Sequence, residues 1–562
     1  MAADVKKLLE EHGRLEDERN LWKNHWQLVA EYVMQRKATF TTFEEPGAFI
    51  NSEIWSDLAG KAAETSSSAF LGLVWPDNYS FKLEPLDEFK DDEELKAFFD
   101  EATETIQSEM DNPEAGLGLA LDEFMTDYIV FGTPTMYVEE GETTAFKFEA
   151  WNLSQYCIDE NAAGYINTFM KGFMLTTEGM VEKFGTKNVS RKVQELFKSG
   201  KLKDKHKVLH VIKPRSVLKD GGKGAQNMPF MSVYIEVEAK SVLRESGYHE
   251  LPAFCARYSK RIGEKYGRSP SMRALPTIME LNSLWEMVTM GIEKSYDPPL
   301  ALLDDGKFGG GTIDTSAGAL NVLRVSGNGG NQNPIQQLFT VGSLSEVSVL
   351  LEKLEATVND HYMIDRLIDF NNEQQMTARE FVGRQAIRQS TLRSPVTRII
   401  SELFTPLIER CFNIMLRAGK LGYVEGSPEA QAWQAANPNE DMRVIPQSLL
   451  SLQGKKKRIY WVRYMSPAVR EQQSEEAQGI MNLYQFIGSV APMAPELVDE
   501  MNHERASKRL GDIWAVPQEC FNTKDEKEAT QKAKAGLVAQ QQQMMQLKQG
   551  AGVVKDLAAA AK

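Results

Sequence analysis

The chain has 562 residues, about twice what one hydrophobic core supports, so two to four modules are expected. Hydrophobic residues make up 42% and charged residues 25% of the chain, a balance that excludes a largely disordered or collagen-like protein. The formal net charge of −15 argues against tight, static binding of nucleic acid, because phosphate-binding proteins usually carry a basic face.

Helical periodicity dominates the chain up to Phe131. Apolar residues recur at three- and four-residue steps over 1–37, 52–74 and 91–131, which is the pattern of amphipathic helices. Pro76 ends the second helix, and Asp111-Asn112-Pro113 interrupts the third. The first residues contain no apolar signal core and no run of about 18 apolar residues occurs, so neither a secretory signal nor a membrane span is expected.

The sequence period changes to two in the next region. Residues 135–139 and 145–150 alternate around a glutamate-glycine turn and predict a β-hairpin. The same alternation returns at 207–212 and 232–237. This part of the chain is therefore expected to be α+β.

Two long helices are predicted on either side of a short β-rich segment. Residues 271–296 form a strong helical pattern that Asp297-Pro298-Pro299 stops, because proline lacks an amide donor and restricts the preceding residue. Short β-like runs separated by turns fill 300–342, and a helix of matching length follows at 343–368. The arrangement predicts a paired stalk with a head at its tip. An ordinary helical hairpin with a long loop explains the pattern equally well.

The remainder of the chain is mostly helical by its pattern. A third long helical stretch covers 377–418, and Pro395 and Pro406 are expected to kink or divide it. A loop, a strand and then polar helices are predicted at 421–445, at 457–465 and from 467 onward.

Motifs for catalysis and for metal binding are missing. Each Gly-Lys pair lacks the earlier glycine of a phosphate-binding loop, and neither HExxH nor GxSxG occurs. The four cysteines form no CxxC pair, which excludes a zinc knuckle and is typical of a reducing compartment. No cofactor, no metal and no enzymatic activity are therefore predicted.

Two other features are candidate binding sites. His206 and His210 lie four residues apart in an alternating run, and a half-exposed strand face is favoured there over metal binding. The compact basic run Lys455–Arg458 is better explained as a solvated turn before a strand than as a DNA contact.

Several segments, taken together and in order, resemble the portal (head-to-tail connector) proteins of short-tailed, T7-like podovirus phages. The matching segments are Arg19-x-x-Trp22-x-x-x-Trp26 with Tyr32, Asp127–Thr133 followed by Tyr137-Val138-Glu139, Pro252 to Arg257, Gly263–Pro270, Leu275-Pro276 and Asp297-Pro298-Pro299. The resemblance covers about residues 14–470. Relatives often place a proline soon after the tyrosine that matches Tyr32, whereas Gln35-Arg36 follow here, so the first helix is expected to run on further.

The resemblance implies a mainly helical α+β fold of portal type, assembled as a ring of about twelve copies. The expected modules are a wing at 1–270, stem helices at 271–296 and 343–368, a β-rich clip at 297–342, a tunnel loop at 369–376, a second part of the wing at 377–466, and a crown with the C-terminal tail at 467–562.

The same resemblance implies roles for individual residues. The tunnel loop would present Asn371, Asn372, Glu373, Gln374 and Gln375 to the channel, and the clip would contact partners through Asp304, Asp305, Lys307 and Arg324. Structural roles are expected for Gly132, Tyr266, Gly267, Pro298 and Pro299. Gly132 lies at a helix-to-strand junction, where glycine supplies a backbone angle or a close approach that a Cβ would obstruct.

The resemblance also implies a set of partners. They are further copies of the chain, double-stranded DNA passing through the channel, the terminase large subunit, tail adaptor proteins, and the major capsid and scaffold proteins, with no membrane. The implied location is the portal vertex of the virion, after assembly in the host cytoplasm. A scaffold or tail adaptor protein is the alternative structural class, and a nuclease or packaging ATPase is the alternative enzyme.

Overall fold

The structure is a computed structural model. It describes residues 4–41, 53–76, 81–89, 92–141, 143–215, 224–304, 314–324, 335–337, 345–367, 391–437, 443–449, 460–464, 467–490 and 502–513. The chain divides into two compact units, Met1–Ala468 and Val469–Lys562. Helices and strands are mixed in the first unit, whereas the described part of the second is helical.

The helices and strands are numbered in chain order. The helices are α1 Val5–Val33, α2 Leu58–Val74, α3 Glu93–Met110, α4 Leu117–Val130, α5 Thr177–Phe184, α6 Arg191–Lys198, α7 Pro270–Tyr296, α8 Ser345–His361, α9 Ile364–Leu367, the described part of α10 at 391–399, α11 Thr405–Arg417, α12 Pro428–Ala436, α13 Pro467–Val490 and α14 His503–Ile513. The strands are β1 Phe81–Pro85, β2 Thr135–Glu140, β3 Phe146–Trp151, β4 Tyr156–Glu160, β5 Ile166–Thr176, β6 Lys205–Pro214, β7 Phe230–Glu236, β8 Ser241–Tyr248, β9 Ala253–Cys255, β10 Leu300–Asp304, β11 Leu320–Arg324, β12 Ile335–Gln337 and β13 Tyr460–Tyr464.

An antiparallel five-stranded sheet, in the order β4-β5-β6-β7-β8, forms the middle of a three-layer structure. Alternation along β6 sends successive side chains to opposite faces. On one face Leu209 and Val211 pack with Leu8 and Leu15 of α1. On the other face Val208 packs in a core that α5 and α6 cover. Both faces of this sheet are therefore buried by helices.

Two smaller sheets connect distant parts of the chain. The predicted hairpin is confirmed, because β2 and β3 pair in antiparallel register, and β9 lies on the other edge of β2. The predicted strand near residue 460 is also confirmed as β13, which pairs with β1. The strand β1 was not predicted, since its partner lies near the other end of the first unit.

The helix–β–helix segment is confirmed in its main features. The helix α7 covers the predicted range, and α8 packs along it. Between them, β10 pairs in parallel with β11 and in antiparallel register with β12. A separate small sheet thus stands at the end of α7.

The predicted second long helix is wrong in its length. The helix α8 ends at His361, Met363 has a φ of +57°, and α9 has four residues. The carbonyl of Tyr362 accepts a hydrogen bond from Ser66 Oγ at 2.9 Å. This carbonyl therefore bonds to a side chain of α2 and does not accept from the amide of a continuing helix.

The expectation that the first helix runs on past its family length is also wrong. The helix α1 ends at Val33, and a single 3-10 turn, Gln35–Lys37, follows it. The side chain of Gln27 then accepts from the amide of Phe40 at 3.0 Å and donates to the carbonyl of Ala38 at 3.1 Å. These bonds fold the chain back, because they satisfy backbone groups that a longer helix would have used.

Two other boundaries differ from those expected, and one predicted division is confirmed. The helix α2 begins at Leu58, because Asn282 of α7 holds the preceding segment through the amide of Trp55 and the carbonyl of Glu53. The segment predicted as a loop at 421–445 contains α12, which Ser427 caps. The division expected near Pro406 takes the form of a π-helical segment, Ile400–Phe404, that leads into α11.

The predicted half-exposed strand face with His206 and His210 is wrong as well, because both imidazoles are buried. His206 Nε2 lies 3.0 Å from Thr177 Oγ1, and His210 Nε2 lies 2.9 Å from Ser232 Oγ. Burial lowers the pKa of His210 to about 3. His206 is therefore buried against α5, and His210 is buried against the rings of Tyr137 and Trp151.

Candidate functional site

The residues expected to contact partners at the clip lie at the ends of two neighbouring strands. Asp304 is the last residue of β10 and Arg324 the last of β11, and the two are paired in the parallel register. Asp305 and Lys307 lie outside the described residues. The chain therefore leaves β10 and β11 at the same end of this small sheet.

The two prolines lie at the junction between α7 and the small sheet. Asp297 caps α7, and its carbonyl accepts from the amide of Gly318 at 2.8 Å. Pro298 and Pro299 follow, and β10 begins at the next residue. Because proline cannot donate to a helix or a ladder, this pair makes the change from helix to strand abrupt.

The outer part of the α7–α8 pair is apolar and exposed. On α7 the exposed large side chains are Met287, Met290, Ile292 and Tyr296, and on α8 they are Val349 and Leu350. Leu351 and Val358 of α8 are buried instead. The pair thus packs along one seam and leaves large apolar side chains of both helices facing solvent, a density of exposed apolar residues that is typical of an interaction site.

The residues of the expected tunnel loop, Asn371, Asn372, Glu373, Gln374 and Gln375, lie outside the described residues. The nearest described elements are α9, which ends at Leu367, and α10.

The segments that carry the family resemblance meet at the start of α7, in a group of contacts that we call the α7 anchor. It consists of residues 127–133, residues 257–271, and the side chains of α1 and α8 that touch them. Gly132 has a φ of +73°, and a Cβ there would lie 2.8 Å from the backbone nitrogen of Ser269. A Cβ on Gly267 would collide with the carbonyl oxygen of Gly132. The two glycines therefore let two chain segments touch backbone to backbone.

Hydroxyl groups stabilise this close approach. Thr133 Oγ1 accepts from the amide of Gly267 at 2.8 Å. Ser269 caps α7 by accepting from the amide of Met272 at 3.0 Å, and it donates to the carbonyl of Val130 at 2.7 Å. An N-cap of this type contributes about 1 kcal/mol to the free energy of unfolding.

A second serine connects α7 to α4 and to the turn after α8. Ser271 Oγ donates to the carbonyl of Ile129 at 3.0 Å and accepts from the hydroxyl of Tyr362 at 2.9 Å. Tyr362 is the residue after α8, and its carbonyl is itself bound by Ser66, so a continuous chain of contacts joins α4, α7, the turn after α8 and α2. The first turn of α7 is therefore fixed by bonds that reach the far end of α8.

Aromatic side chains surround Tyr266. Its ring lies 5.1 Å from Trp26 and 6.0 Å from Trp22 of α1, and its hydroxyl accepts from the amide of Ile158 at 3.4 Å. The guanidinium of Arg268 lies 5.1 Å from the Trp22 ring. The aromatic residues of α1 and the tyrosine before α7 thus form one cluster.

A buried arginine completes the anchor. Arg257 donates to Glu402 of the π-helical segment at 2.8 Å and to Glu160 at 3.0 Å, and its amide donates to Glu402 at 2.7 Å. Burial opposes the charge on Arg257, yet its bonds to Glu402 outweigh that effect and raise the pKa of the guanidinium. The sequence pattern points to Arg257 but not to Glu402, whose role depends on a contact between distant parts of the chain.

Acidic side chains nearby are held by lysines. Asp159 binds Lys265 at 2.7 Å. Burial opposes ionisation of Asp159, but the hydrogen bond and the charge of Lys265 outweigh it, so the pKa of this carboxyl is below its usual value. Lys265 also binds Glu18 of α1 at 2.6 Å.

The contacts of the anchor are hydrogen bonds, ion pairs and aromatic packing. Among the described residues no group of three or more His, Cys, Asp or Glu side chains is arranged to hold a metal ion. The cysteines that the structure describes, Cys157, Cys255 and Cys411, are buried and form no disulfide, and burial raises the pKa of each thiol. None of the described helices has the length and apolar character needed to cross a bilayer.

Comparisons with known proteins point to the same family as the segments that carry the resemblance. A family model described as "Bacteriophage head to tail connecting protein" matches residues 5–521. The chain is 25% identical over 561 residues to the "Probable portal protein" of Bordetella phage BPP-1, covering 98% of this chain and 95% of that protein. It is 24% identical over 525 residues to the "Portal protein" of Salmonella phage epsilon15, covering 91% and 88%.

Solved structures offer a weaker likeness. A chain of the "Virion of native gene transfer agent (GTA) particle" is 9% identical, with 67% of this chain and 89% of that chain covered and a TM-score of 0.29. A score of that size does not establish a shared fold. The match of the family model over nearly the whole length is decisive, and the chain belongs to the family of bacteriophage head to tail connecting proteins, the portal proteins.

Proposed function

We propose that this protein forms a closed ring of about twelve copies at one vertex of a phage capsid, and that DNA enters and leaves the capsid through its channel. The observation that carries the proposal is the exposed apolar surface on the outer part of α7 and α8. A second copy of the same helix pair is the partner that supplies a matching apolar surface, and repeating that contact around an axis closes a ring.

The proposed modules follow the elements of the fold. The stem is 271–296 with 343–368, the clip is 297–342, the tunnel loop is 369–376, the wing is 1–270 with 377–466, and the crown is 467–562. In this assignment the α7 anchor joins the wing to the stem, so that force on the stem is borne by backbone contacts and buried hydrogen bonds.

Charge on the proposed stem suits a moving duplex. The carboxylates of Glu280 and Glu293 on α7, and of Glu346 and Glu352 on α8, are exposed. An acidic surface repels phosphates and holds few of them. The channel would then guide DNA without a salt-dependent grip that resists sliding.

The remaining partners are assigned by the same proposal. The terminase large subunit docks on the clip during packaging, and tail adaptor proteins dock there afterwards, near the ends of β10 and β11. The major capsid and scaffold proteins surround the ring at the vertex, and assembly takes place in the host cytoplasm.

The proposal is tested by the native mass of the purified full chain and by negative-stain microscopy. The native mass should be about twelve times that of one chain, which is 63.2 kDa, and end-on views should show a ring with a central hole. A scaffold or tail adaptor protein predicts a different mass and no closed ring. A chain that stays monomeric or dimeric at every protein and salt concentration would overturn the proposal.

The proposed tunnel loop has its own test. Amide side chains can hydrogen-bond to phosphates without the long-range attraction of lysine or arginine. Replacing Asn371–Gln375 with a Gly/Ser link of equal length should leave the native mass unchanged and lower the proportion of full particles in a complementation assay. Wild-type proportions of full, infectious particles would show that the segment only connects two helices and does not act on DNA.

A further inference from the structure

A strongly basic surface occurs on this acidic protein, on the part of the proposed wing formed by α5, α6 and the first residues of β6. Residues 177–207 contain nine lysines and arginines against four aspartates and glutamates. Their net charge is +5, so the rest of the chain carries −20, since the total is −15. We call residues 177–207 the basic lobe.

The basic side chains of the lobe are open to solvent. All nine are exposed, and the structure describes every residue of the lobe; they are Lys183, Lys187, Arg191, Lys192, Lys198, Lys201, Lys203, Lys205 and Lys207. Lys192 pairs with Glu238 at 2.9 Å, and Lys183 lies over the ring of Tyr234. Within the described part of the chain, none of the other seven forms an ion pair with a carboxylate.

The lobe is packed against the central sheet. Met180 and Phe184 of α5, together with Val189 and Val193, pack on Val208 of the central sheet. Ser190 caps α6 and binds the buried carboxylate of Glu236 at 2.8 Å. The basic residues therefore project from an ordered surface, on the opposite side of the sheet from α1.

The composition of the lobe favours one class of partner. Eight of its nine basic residues are lysines, and Phe197 is its sole exposed large apolar side chain. Interfaces with proteins are depleted in lysine and have an apolar centre, whereas lysine is a flexible, hydrated point charge that suits a phosphate backbone. The lobe lacks the apolar centre that a protein partner would need.

We propose that the basic lobe binds the phosphate backbone of double-stranded DNA without sequence specificity, on a surface separate from the channel. The strong acidity of the remaining chain confines this contact to the lobe. The inference goes beyond the proposed channel function, since it concerns DNA that does not pass through the ring.

The test uses DNA that cannot thread a closed ring. A covalently closed circular duplex of a few hundred base pairs is mixed with the assembled full-length protein, and the dissociation constant is measured by gel shift at several salt concentrations. The variant carries Lys198→Gln, Lys201→Gln and Lys203→Gln, which removes three charges at the end of α6 and in the following turn. The control carries Lys6→Gln, Lys61→Gln and Lys147→Gln, three exposed lysines outside the lobe.

We expect the wild-type protein to bind the circle with an affinity that falls steeply with salt. The lobe variant should bind at least tenfold more weakly at about 100 mM salt, and the slope of log K against log salt should fall by about one for each lysine that contacts a phosphate. The control should match the wild-type protein within twofold.

Three outcomes would overturn the inference. They are equal binding by the lobe variant and the wild-type protein, equal losses in the lobe and control variants, and binding of a glutamate-rich polypeptide without binding of the circle. The last outcome would assign the lobe to an acidic protein instead. Native mass, measured on every sample, reports ring formation separately, so failure of the ring and failure of the lobe are distinguishable.

Discussion

The two halves of α7 have similar apolar content but opposite environments. From Pro270 to Asn282 eight residues of the helix are buried, among them Leu275, Ile278 and Leu281, and α7 packs against α1 and α4. From residue 283 onward large apolar side chains are exposed, and Tyr296 retains 89% of its accessible surface. One helix thus contributes to the core of its own chain at one end and offers an apolar surface to solvent at the other.

The difference shows what apolar periodicity can and cannot reveal. Periodicity identifies the side of a helix that avoids water, because burial of that side is favourable whatever covers it. The covering element is chosen by the tertiary structure. In the inner half it is the α7 anchor, and in the outer half it is the proposed neighbouring copy.

Disrupting the exposed outer half of α7 should have the largest effect, which is the loss of ring assembly. The double variant Met287→Glu/Met290→Glu places two carboxylates on the exposed apolar surface, and a buried unpaired charge in the proposed interface costs several kcal/mol per group. We expect the native mass to fall from the ring to the single chain. Leu119→Glu, at an exposed leucine of α4, is the matched control and should leave the mass unchanged. Intact rings of the double variant would contradict the proposed interface.

Breaking the inner half should destabilise the chain itself. Gly132 combines a positive φ with a 2.8 Å approach to the backbone of Ser269, so we expect Gly132→Ala to lower the free energy of unfolding by about 3 kcal/mol or more. Gly200 also has a positive φ, +76°, in the left-handed cap after α6, but nothing lies within 4 Å of its ideal Cβ. Gly200→Ala should therefore cost only the backbone strain, about 1 kcal/mol. Equal losses in urea unfolding would show that the contact at Gly132 is incidental.

A milder change tests the hydrogen bond between α7 and the turn that follows α8. Tyr362→Phe removes the buried hydrogen bond to Ser271 while keeping the ring, and should lower the free energy of unfolding by about 1 kcal/mol. Tyr484→Phe removes an exposed bond to His503 and should change it by less than about 0.5 kcal/mol. A Tyr362→Phe variant as stable as the wild-type protein would remove this link from the anchor.

The smallest expected effect is on pH dependence. The pKa of Asp159 in the folded chain is below its usual value of 3.8, so the unfolded chain binds the proton more readily. The stability that Asp159 contributes is complete above about pH 3.8 and is lost as the pH falls through the folded pKa. Asp159→Asn should therefore make the decline in stability below about pH 4 shallower in urea unfolding at stepped pH values. Lys265→Met should do the same, and an unchanged decline in both variants would contradict the assignment.

Local signals in the sequence predict the bounds of α7 well. Ser269 and Pro270 are an N-cap and a first-turn proline, and Asp297-Pro298-Pro299 stops the helix, so both ends are encoded by neighbouring residues. The same kind of signal, Ser427 before Pro428, is present at α12, inside a segment whose composition predicts a loop. The basic lobe can also be recognised from the sequence, because basic residues outnumber acidic ones over this stretch although the lysines are not contiguous.

The sequence by itself determined the family, the α+β character, the bounds of α7 and the position of glycine at residue 132, because these depend on local periodicity, caps and backbone angles. The tertiary structure decided where α8 ends, that His206 and His210 are buried, and that β1 pairs with β13. Each of these depends on a contact between residues far apart in the chain. Tyr362 is held by Ser66 and Ser271. His206 bonds to Thr177 of α5, and His210 packs against the rings of Tyr137 and Trp151. Such contacts are set by the free energy of burying and hydrogen-bonding both partners together, which no pattern within either segment records.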